Sequence, residues 1–314
     1  MSGRSDVGTV HLLGEHMHWS RRRFLGFSAT ASVALAGCSA GGALPAGDSG
    51  HEDEAVPTYS YGDHPAQFAE LSLPSGSGPV GVVVIVHGGF WRDAYGADLG
   101  RPLARDLVGR GWAALNVEYR RVGRNAQAGG GGWPATCLDV AAAVDGLAVQ
   151  GQRIAGGRLD LSRVVALGHS AGGHLAGWLA SRSLQPAGAP GADPQVPLSG
   201  AVLQAGVLDL EAGYAADLGG GAVAAFMGGS PADLPEAYAQ ASPVARVPLN
   251  VPTVCVHGRS DDVVPIEQSE AFVAAAQQAG DTSELQVFDG DHSDVIDTST
   301  QGWELCVEAL ERLL

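Results

Sequence analysis

Val164-Val165-Ala166-Leu167-Gly168-His169-Ser170-Ala171-Gly172-Gly173 decides how this chain is read. The first four residues form an apolar run of the kind that makes a buried strand, and Leu175-Ala176-Gly177-Trp178-Leu179 beyond them suits a helix. Between them Gly168-His169-Ser170-Ala171-Gly172 is a G-x-S-x-G pattern. In a strand–turn–helix setting this pattern is a nucleophile elbow, a turn so tight that its flanks must be small. It lifts one hydroxyl above the sheet edge, so Ser170 is expected to be the exposed nucleophile.

Three further units repeat the strand-then-polar-loop plan. Val82-Val83-Val84-Ile85-Val86 runs into His87-Gly88-Gly89-Phe90-Trp91. Glycines at a strand exit let backbone N–H groups approach a ligand, because no Cβ obstructs them. Acyl transfer needs such donors where a carbonyl oxygen becomes an oxyanion. Val254-Cys255-Val256 leads into His257-Gly258-Arg259-Ser260-Asp261-Asp262-Val263-Val264-Pro265, and Leu285-Gln286-Val287-Phe288 into Asp289-Gly290-Asp291-His292. A serine, an aspartate and a histidine therefore follow one another in the chain order of α/β-hydrolase triads.

On these residues the chain resembles the α/β-hydrolase superfamily, in particular the esterase branch related to kynurenine formamidases and bacterial feruloyl-esterase-like proteins. The resemblance spans residues 58–314. It is carried by HGGFW at 87–91, NVEYRR at 116–121, WP at 133–134 with Asp139, GHSAGGHLA at 168–176, SP at 242–243 and HGRSDDVVP at 257–265. It implies Ser170 as nucleophile, His292 as base and Asp261 as acid, with the amides of Gly89, Phe90 and Ala171 forming the oxyanion hole. Asp261 is favoured over Asp262, and Asp209, after the strand-like stretch 203–208, remains a further alternative. Phe90 stands where the lipase branch has a third glycine, and the formamidase-like branch has an aromatic there.

The remaining histidines have quieter readings. His87 holds the oxyanion loop in shape, His169 packs or lines the pocket, and His174 sits on a helix face. Residues 169 and 174 are five apart, which is not the i, i+4 spacing of a helical zinc pair. With neither H-E-x-x-H nor C-x-x-C, no metal and no cofactor are expected.

The order of elements follows from the apolar pattern. Strands are expected at 67–73, 80–86, 112–117, 163–168, 199–205, 251–256 and 284–288. Helices are expected at 97–110, 134–149, 171–183, 266–279 and 299–313. Helix 266–279 reads as amphipathic, with Phe272, Val273 and Ala276 on one side and Glu267, Gln268 and Glu270 turned away. Alternating elements with near-continuous apolar strands predict an α/β fold, a mostly parallel sheet with helices on both faces. The irregular span 206–250 is expected to be a cap or pocket insert, and Phe90, Trp91, Phe226 and Met227 are candidates for an apolar acyl pocket or for plain packing.

Composition bounds the partners. The chain has 314 residues, 45% hydrophobic and 17% charged, with a net charge of −16. All 18 basic residues are arginine, and no basic stripe favours nucleic acid as a partner. A small-molecule ester is the expected substrate, and oligomeric state is left open.

Ahead of the catalytic segment, Ser20-Arg21-Arg22-Arg23-Phe24-Leu25 matches the twin-arginine export pattern. The apolar stretch from Phe24 to Ala36 is shorter than the about 20 residues a membrane helix needs. It ends in Leu35-Ala36-Gly37-Cys38, which resembles a bacterial lipobox. Residues 1–37 are thus expected to be a signal peptide, with Met17 a second candidate start. Cys38 would be lipidated and hold the protein at the outer face of the membrane or in the periplasm, with a soluble exported form the alternative. Residues 38–57, rich in Gly, Ala, Ser and acid, are expected to be a flexible tether. Cys137, Cys255 and Cys306 are expected to be buried free thiols.

The expected activity is ester hydrolysis through an acyl-enzyme. An aryl formamidase is the alternative, a prolyl-oligopeptidase-type peptidase is disfavoured by the lack of room for a propeller domain, and a non-catalytic ligand-binding surface lipoprotein is the reading from another class.

Overall fold

The computed structural model describes residues 56–314. The signal, lipidation and most of the tether expected from the sequence, residues 1–55, lie outside the described residues.

Among the described residues eight strands form one sheet: β1 (Thr58–Ser60), β2 (Phe68–Ser72), β3 (Val80–Val86), β4 (Ala113–Val117), β5 (Leu159–His169), β6 (Gly200–Gln204), β7 (Thr253–Gly258) and β8 (Ser283–Phe288). Their spatial order is β1-β2-β4-β3-β5-β6-β7-β8. The pairs from β4 through β8 are parallel, and β1 and β2 join antiparallel at one edge. β3, β4, β6 and β7 are buried at every position, as parallel strands covered on both faces must be.

Among the described residues nine helices connect and cover the sheet: α1 (Arg101–Gly109), α2 (Ala135–Asp145), α3 (Gln150–Ile154), α4 (Ala171–Ala180), α5 (Leu210–Ala215), α6 (Ala222–Met227), α7 (Pro235–Ala241), α8 (Glu267–Gln278) and α9 (Gln301–Leu313). The two-residue period of β3 divides the core. Val82, Val84 and Val86 join one cluster with Val140 of α2, Leu175 of α4 and Phe272 of α8. Val83 and Ile85 point the other way, into a cluster with Leu107 of α1 and Trp303 and Leu310 of α9. Burying each such side chain is worth roughly 1.5–3 kcal/mol.

The mostly parallel α/β sheet expected from the sequence is the fold observed. Several element limits differ. β5 begins at Leu159, earlier than the apolar run, because Leu159 pairs with Val80 of β3. The helices expected at 97–110, 134–149 and 171–183 break into a helix and a 3₁₀ turn each, the turns lying at Ala97–Leu99, Gly146–Ala148 and Arg182–Leu184. β1 and α3 were not expected; three and five residues are too few to carry a period. Gln268 also departs from expectation. It is buried, accepting from the Asp209 amide at 2.7 Å and donating to the Asp209 carbonyl at 3.1 Å.

The parallel register brings the carboxyl ends of the strands to one edge. Val86 pairs with Gly168, His169 with Gln204, Gln204 with Val256, and Gly258 with Phe288. The loops that follow these strands therefore share one edge of the sheet, where open α/β folds bind ligands.

Candidate active site

Ser170 is the hinge between β5 and α4. Its backbone sits at φ +57°, ψ −118°, a conformation that L-residues seldom adopt. The flanking glycines are required sterically. A Cβ on Gly168 would lie 2.1 Å from the Gly172 carbonyl oxygen, and one on Gly172 would lie 2.0 Å from the Val86 carbonyl oxygen. The turn is tied down by the Ser170 amide, which donates to Gln204 O at 2.8 Å. Contrary to expectation Ser170 is not exposed; only 2% of it is accessible, and Gly88 of the loop after β3 packs against its Cβ.

Of the three carboxylates open to the sequence, the structure sets Asp261 against His292, with Oδ2 to Nδ1 at 2.7 Å. Asp261 Oδ1 accepts the amides of Val263 and Val264 at 2.9 and 2.8 Å. His257 Nε2 is a second imidazole neighbour of Oδ2, at 3.2 Å. Burial works to raise the Asp261 pKa, but hydrogen bonds from His257 and His292 outweigh it and hold the carboxyl far below the usual range. Asp262 is exposed, and Asp209 caps α5 by accepting from Ala212 N at 3.0 Å.

His292 donates through Nδ1, since a carboxylate only accepts, which leaves Nε2 with a lone pair. His169, next to Ser170, donates Nε2–H to the His292 carbonyl at 2.9 Å, with ring centroids 4.5 Å apart. The serine turn and the histidine loop are thereby joined. Burial, aided by His292, pushes the His169 pKa down to about 3.

The expected oxyanion loop runs through positive φ at Gly89 (+107°), Phe90 (+52°) and Trp91 (+54°). Ala171 opens α4, whose first amides have no intrahelical acceptor. His87 does hold this loop: Nδ1 donates to Gly88 O at 2.8 Å, and the ring stacks on Tyr119 at 4.3 Å. Burial takes the His87 pKa down to about 3.

The conspicuous NVEYRR stretch turns out to be scaffold beneath this loop. Tyr119 donates its hydroxyl to His87 O at 2.7 Å. Glu118 accepts from Ala97 N and Tyr119 N, both at 2.9 Å, and pairs with Arg121. Arg120 pairs with Asp139 at 2.7 Å. None of these roles is legible in the sequence. Their signal was a run of charged residues directly after an apolar strand.

The aromatic candidates divide. Trp91 and Phe226 are fully buried and stack at 4.5 Å, and Met227 is buried beside them, so these three are core and not an open acyl pocket. His174, on α4 as expected, is buried, with its ring edge-on to Trp91 and Phe226 and its Nε2 donating to Ala241 O at 3.0 Å. Only Phe90 is partly open, lying on Gly219 of the 206–250 segment. A cavity of about 260 Å³ opens in that segment, lined by Tyr214, Asp217, Leu218 and Val223, and includes none of Ser170, Asp261 or His292. Cys137, Cys255 and Cys306 are buried and unpaired. Among the described residues no group of three or more His, Cys, Asp or Glu could hold a metal ion, and no helix is long and apolar enough to cross a membrane.

Among curated proteins, the chain is 30% identical over 230 residues to Esterase LipC of Mycobacterium tuberculosis, covering 68% of this chain and 53% of LipC. It is 31% identical over 203 residues to Esterase LipQ of the same organism, covering 63% and 46%. The chain thus spans about half the length of these relatives. Among solved structures, the butyrate-bound esterase Est2 of Thermogutta terrifontis superposes with a TM-score of 0.63 at 20% identity, covering 82% of this chain and 92% of that one. The bifunctional GH43-CE protein of Bacteroides eggerthii gives 0.66 at 22%, covering 81% and 35%. At such identities the likeness establishes the fold, which is that of the α/β-hydrolases. The BD-FAE family model matches residues 70–275, well over half of the chain. This chain belongs to the BD-FAE family of α/β-hydrolases.

Proposed function

We propose that the chain is a serine hydrolase that cleaves small carboxylic esters through an acyl-enzyme. The observation that carries this reading is the 2.7 Å Asp261–His292 pair, tied through His169 to the turn that bears Ser170. Ser170 attacks the acyl carbonyl while His292 takes its proton and passes it to the leaving alcohol. Asp261 fixes the imidazole tautomer and stabilises its charged form. The amides of Gly89, Phe90 and Ala171 receive the oxyanion, and water then releases the acid. The names of the curated relatives, two of them esterases, agree with ester chemistry. The formamidase alternative drew on HGGFW and NVEYRR. Much of that signal is now accounted for by scaffold contacts at Trp91, Glu118, Tyr119 and Arg120, so the ester reading leads.

The test is a panel of p-nitrophenyl esters, N-formylkynurenine and dipeptide amides, run on wild type and Ser170→Ala. Serine-dependent turnover of the esters supports the proposal. Faster turnover of the formamide redirects it, and no turnover of any substrate favours the ligand-binding alternative. We further propose export by the twin-arginine route and anchoring through lipid on Cys38, with residues 38–57 as tether.

A further inference from the structure

The Asp261 carboxylate faces two histidines. Oδ2 lies 2.7 Å from His292 Nδ1 and 3.2 Å from His257 Nε2. His257 stands near the end of β7, four residues before Asp261, and is fully buried. Its Nε2 also lies 2.9 Å from the Val264 carbonyl oxygen. A carboxylate and a carbonyl only accept, so Nε2 carries the hydrogen; it donates to the Val264 carbonyl and presents the same N–H edge to Asp261 Oδ2. Nδ1 then holds a lone pair, and it meets the hydroxyl of Ser269 in α8 at 2.8 Å. Ser269, itself fully buried, donates to it. Each hydrogen in this chain has one direction.

We infer that His257 is a positioning residue for the acid, setting the rotation of the Asp261 carboxylate so that Oδ2 faces His292. The terminal torsion of an aspartate is broad and roughly two-fold, and it does not settle by itself. The Val263 and Val264 amides hold Oδ1. Without a donor from β7, Oδ2 would be held by His292 alone, the one group whose charge changes during turnover. His257 supplies a fixed donor from the sheet. It acts through Asp261, and the inference rests on the roles proposed for Ser170, Asp261 and His292.

The experiment is kinetics on p-nitrophenyl acetate for Ser170→Ala, Asp261→Asn, His257→Leu, His257→Gln, Ser269→Ala and the double variant His257→Leu/Asp261→Asn. His257→Leu should lower kcat roughly 10- to 100-fold with KM unchanged, the scale of one hydrogen bond to a charged group. His257→Gln, which keeps an N–H donor, should recover most of that loss. In the double variant His257→Leu should add little to Asp261→Asn, since both act through one carboxylate. Wild-type kcat in His257→Leu, or losses that multiply in the double variant, would overturn the inference. If His257→Leu does not fold, Ser269→Ala carries the test. It should lower kcat several-fold by freeing the imidazole, and unchanged kcat overturns the inference. Activity retained in Ser170→Ala would sink the proposed triad and this inference together. An inactive Ser170→Ala beside a fully active His257→Leu sinks the inference alone.

Discussion

Gly88 packs against Ser170 so closely that a methyl group at position 88 would lie 3.1 Å from the Ser170 Cβ and 2.8 Å from the His169 carbonyl oxygen. The first contact could relax by a few tenths of an ångström, but the second is against backbone. Gly88→Ala should therefore push the two loops apart while leaving the rest of the sheet in place. A displacement of about 1 Å can cost 10²-fold in rate. Steady-state kinetics should show a kcat lower by about that factor with native circular dichroism, and near-native kcat would show that the loops do not need this contact.

Ser170→Ala and Asp261→Asn test the chemistry separately. The serine variant should lose essentially all ester hydrolysis. The asparagine variant should lose about 10⁴-fold in kcat, as when a triad acid can no longer set the histidine tautomer. Asp262→Asn should change little, since Asp262 is exposed. Comparable losses at 261 and 262 would contradict the assignment, and a large loss in Asp209→Asn alone would move attention to the α5 cap.

Acid should destabilise the fold before it reaches the carboxylates. His87 and His169 are pushed down to about 3 and His174 to about 4, in each case first by burial. In the unfolded chain each returns to about 6.5. Between those values the unfolded chain binds protons that the folded one refuses. Stability is thus complete above about pH 6.5 and declines as pH falls toward 3, by up to about 1.4 kcal/mol per pH unit for each histidine. The lowered Asp261 acts in the same direction but only below the ordinary carboxylate range, near pH 4 and under. Melting temperature should drop by several degrees between pH 7 and 5. A flat curve over that interval would mean that these imidazoles are not held neutral.

Gly172→Ala should damage the fold itself. The added methyl would meet the Val86 carbonyl oxygen at 2.0 Å, a backbone atom at the carboxyl end of the central strand β3. Overpacking of a core costs about 1–3 kcal/mol and occasionally more, and here the obstacle cannot rotate away. Chemical denaturation should give a midpoint well below wild type or no folded protein. Wild-type stability would mean that β3 and α4 are free to separate.

Export can be checked without the chemistry. Replacing Arg21 and Arg22 with Lys should leave precursor inside the cell. Cys38→Ser should release active enzyme from the membrane fraction with unchanged kinetics on small esters, since the diacylglycerol anchor would be lost and two acyl chains hold a protein where one does so only marginally. Wild type that is already soluble and carries no lipid by intact mass would remove the anchor.

Much of the architecture was legible because it depends on local pattern. Val82–Val86 and Val164–Leu167 are apolar without interruption, and only a strand covered on both faces tolerates that. The elbow was legible because Gly168 and Gly172 stand where a Cβ cannot. Short elements such as Thr58–Ser60 were not, since three residues have no periodicity to read.

The parallel α/β layering, and the order in which Ser170, Asp261 and His292 follow β5, β7 and β8, can be read along the chain, because both rest on apolar runs and glycine-bearing strand exits. Three-dimensional packing was needed to show which aspartate meets His292, that Gln268 turns inward, that His174, Trp91 and Phe226 are core, and that His257 lies against Asp261. Neighbouring aspartates such as Asp261 and Asp262 have the same chemistry and differ only in direction. Direction is set by the register of β7 and by the amides of Val263 and Val264, which come together when the chain is packed.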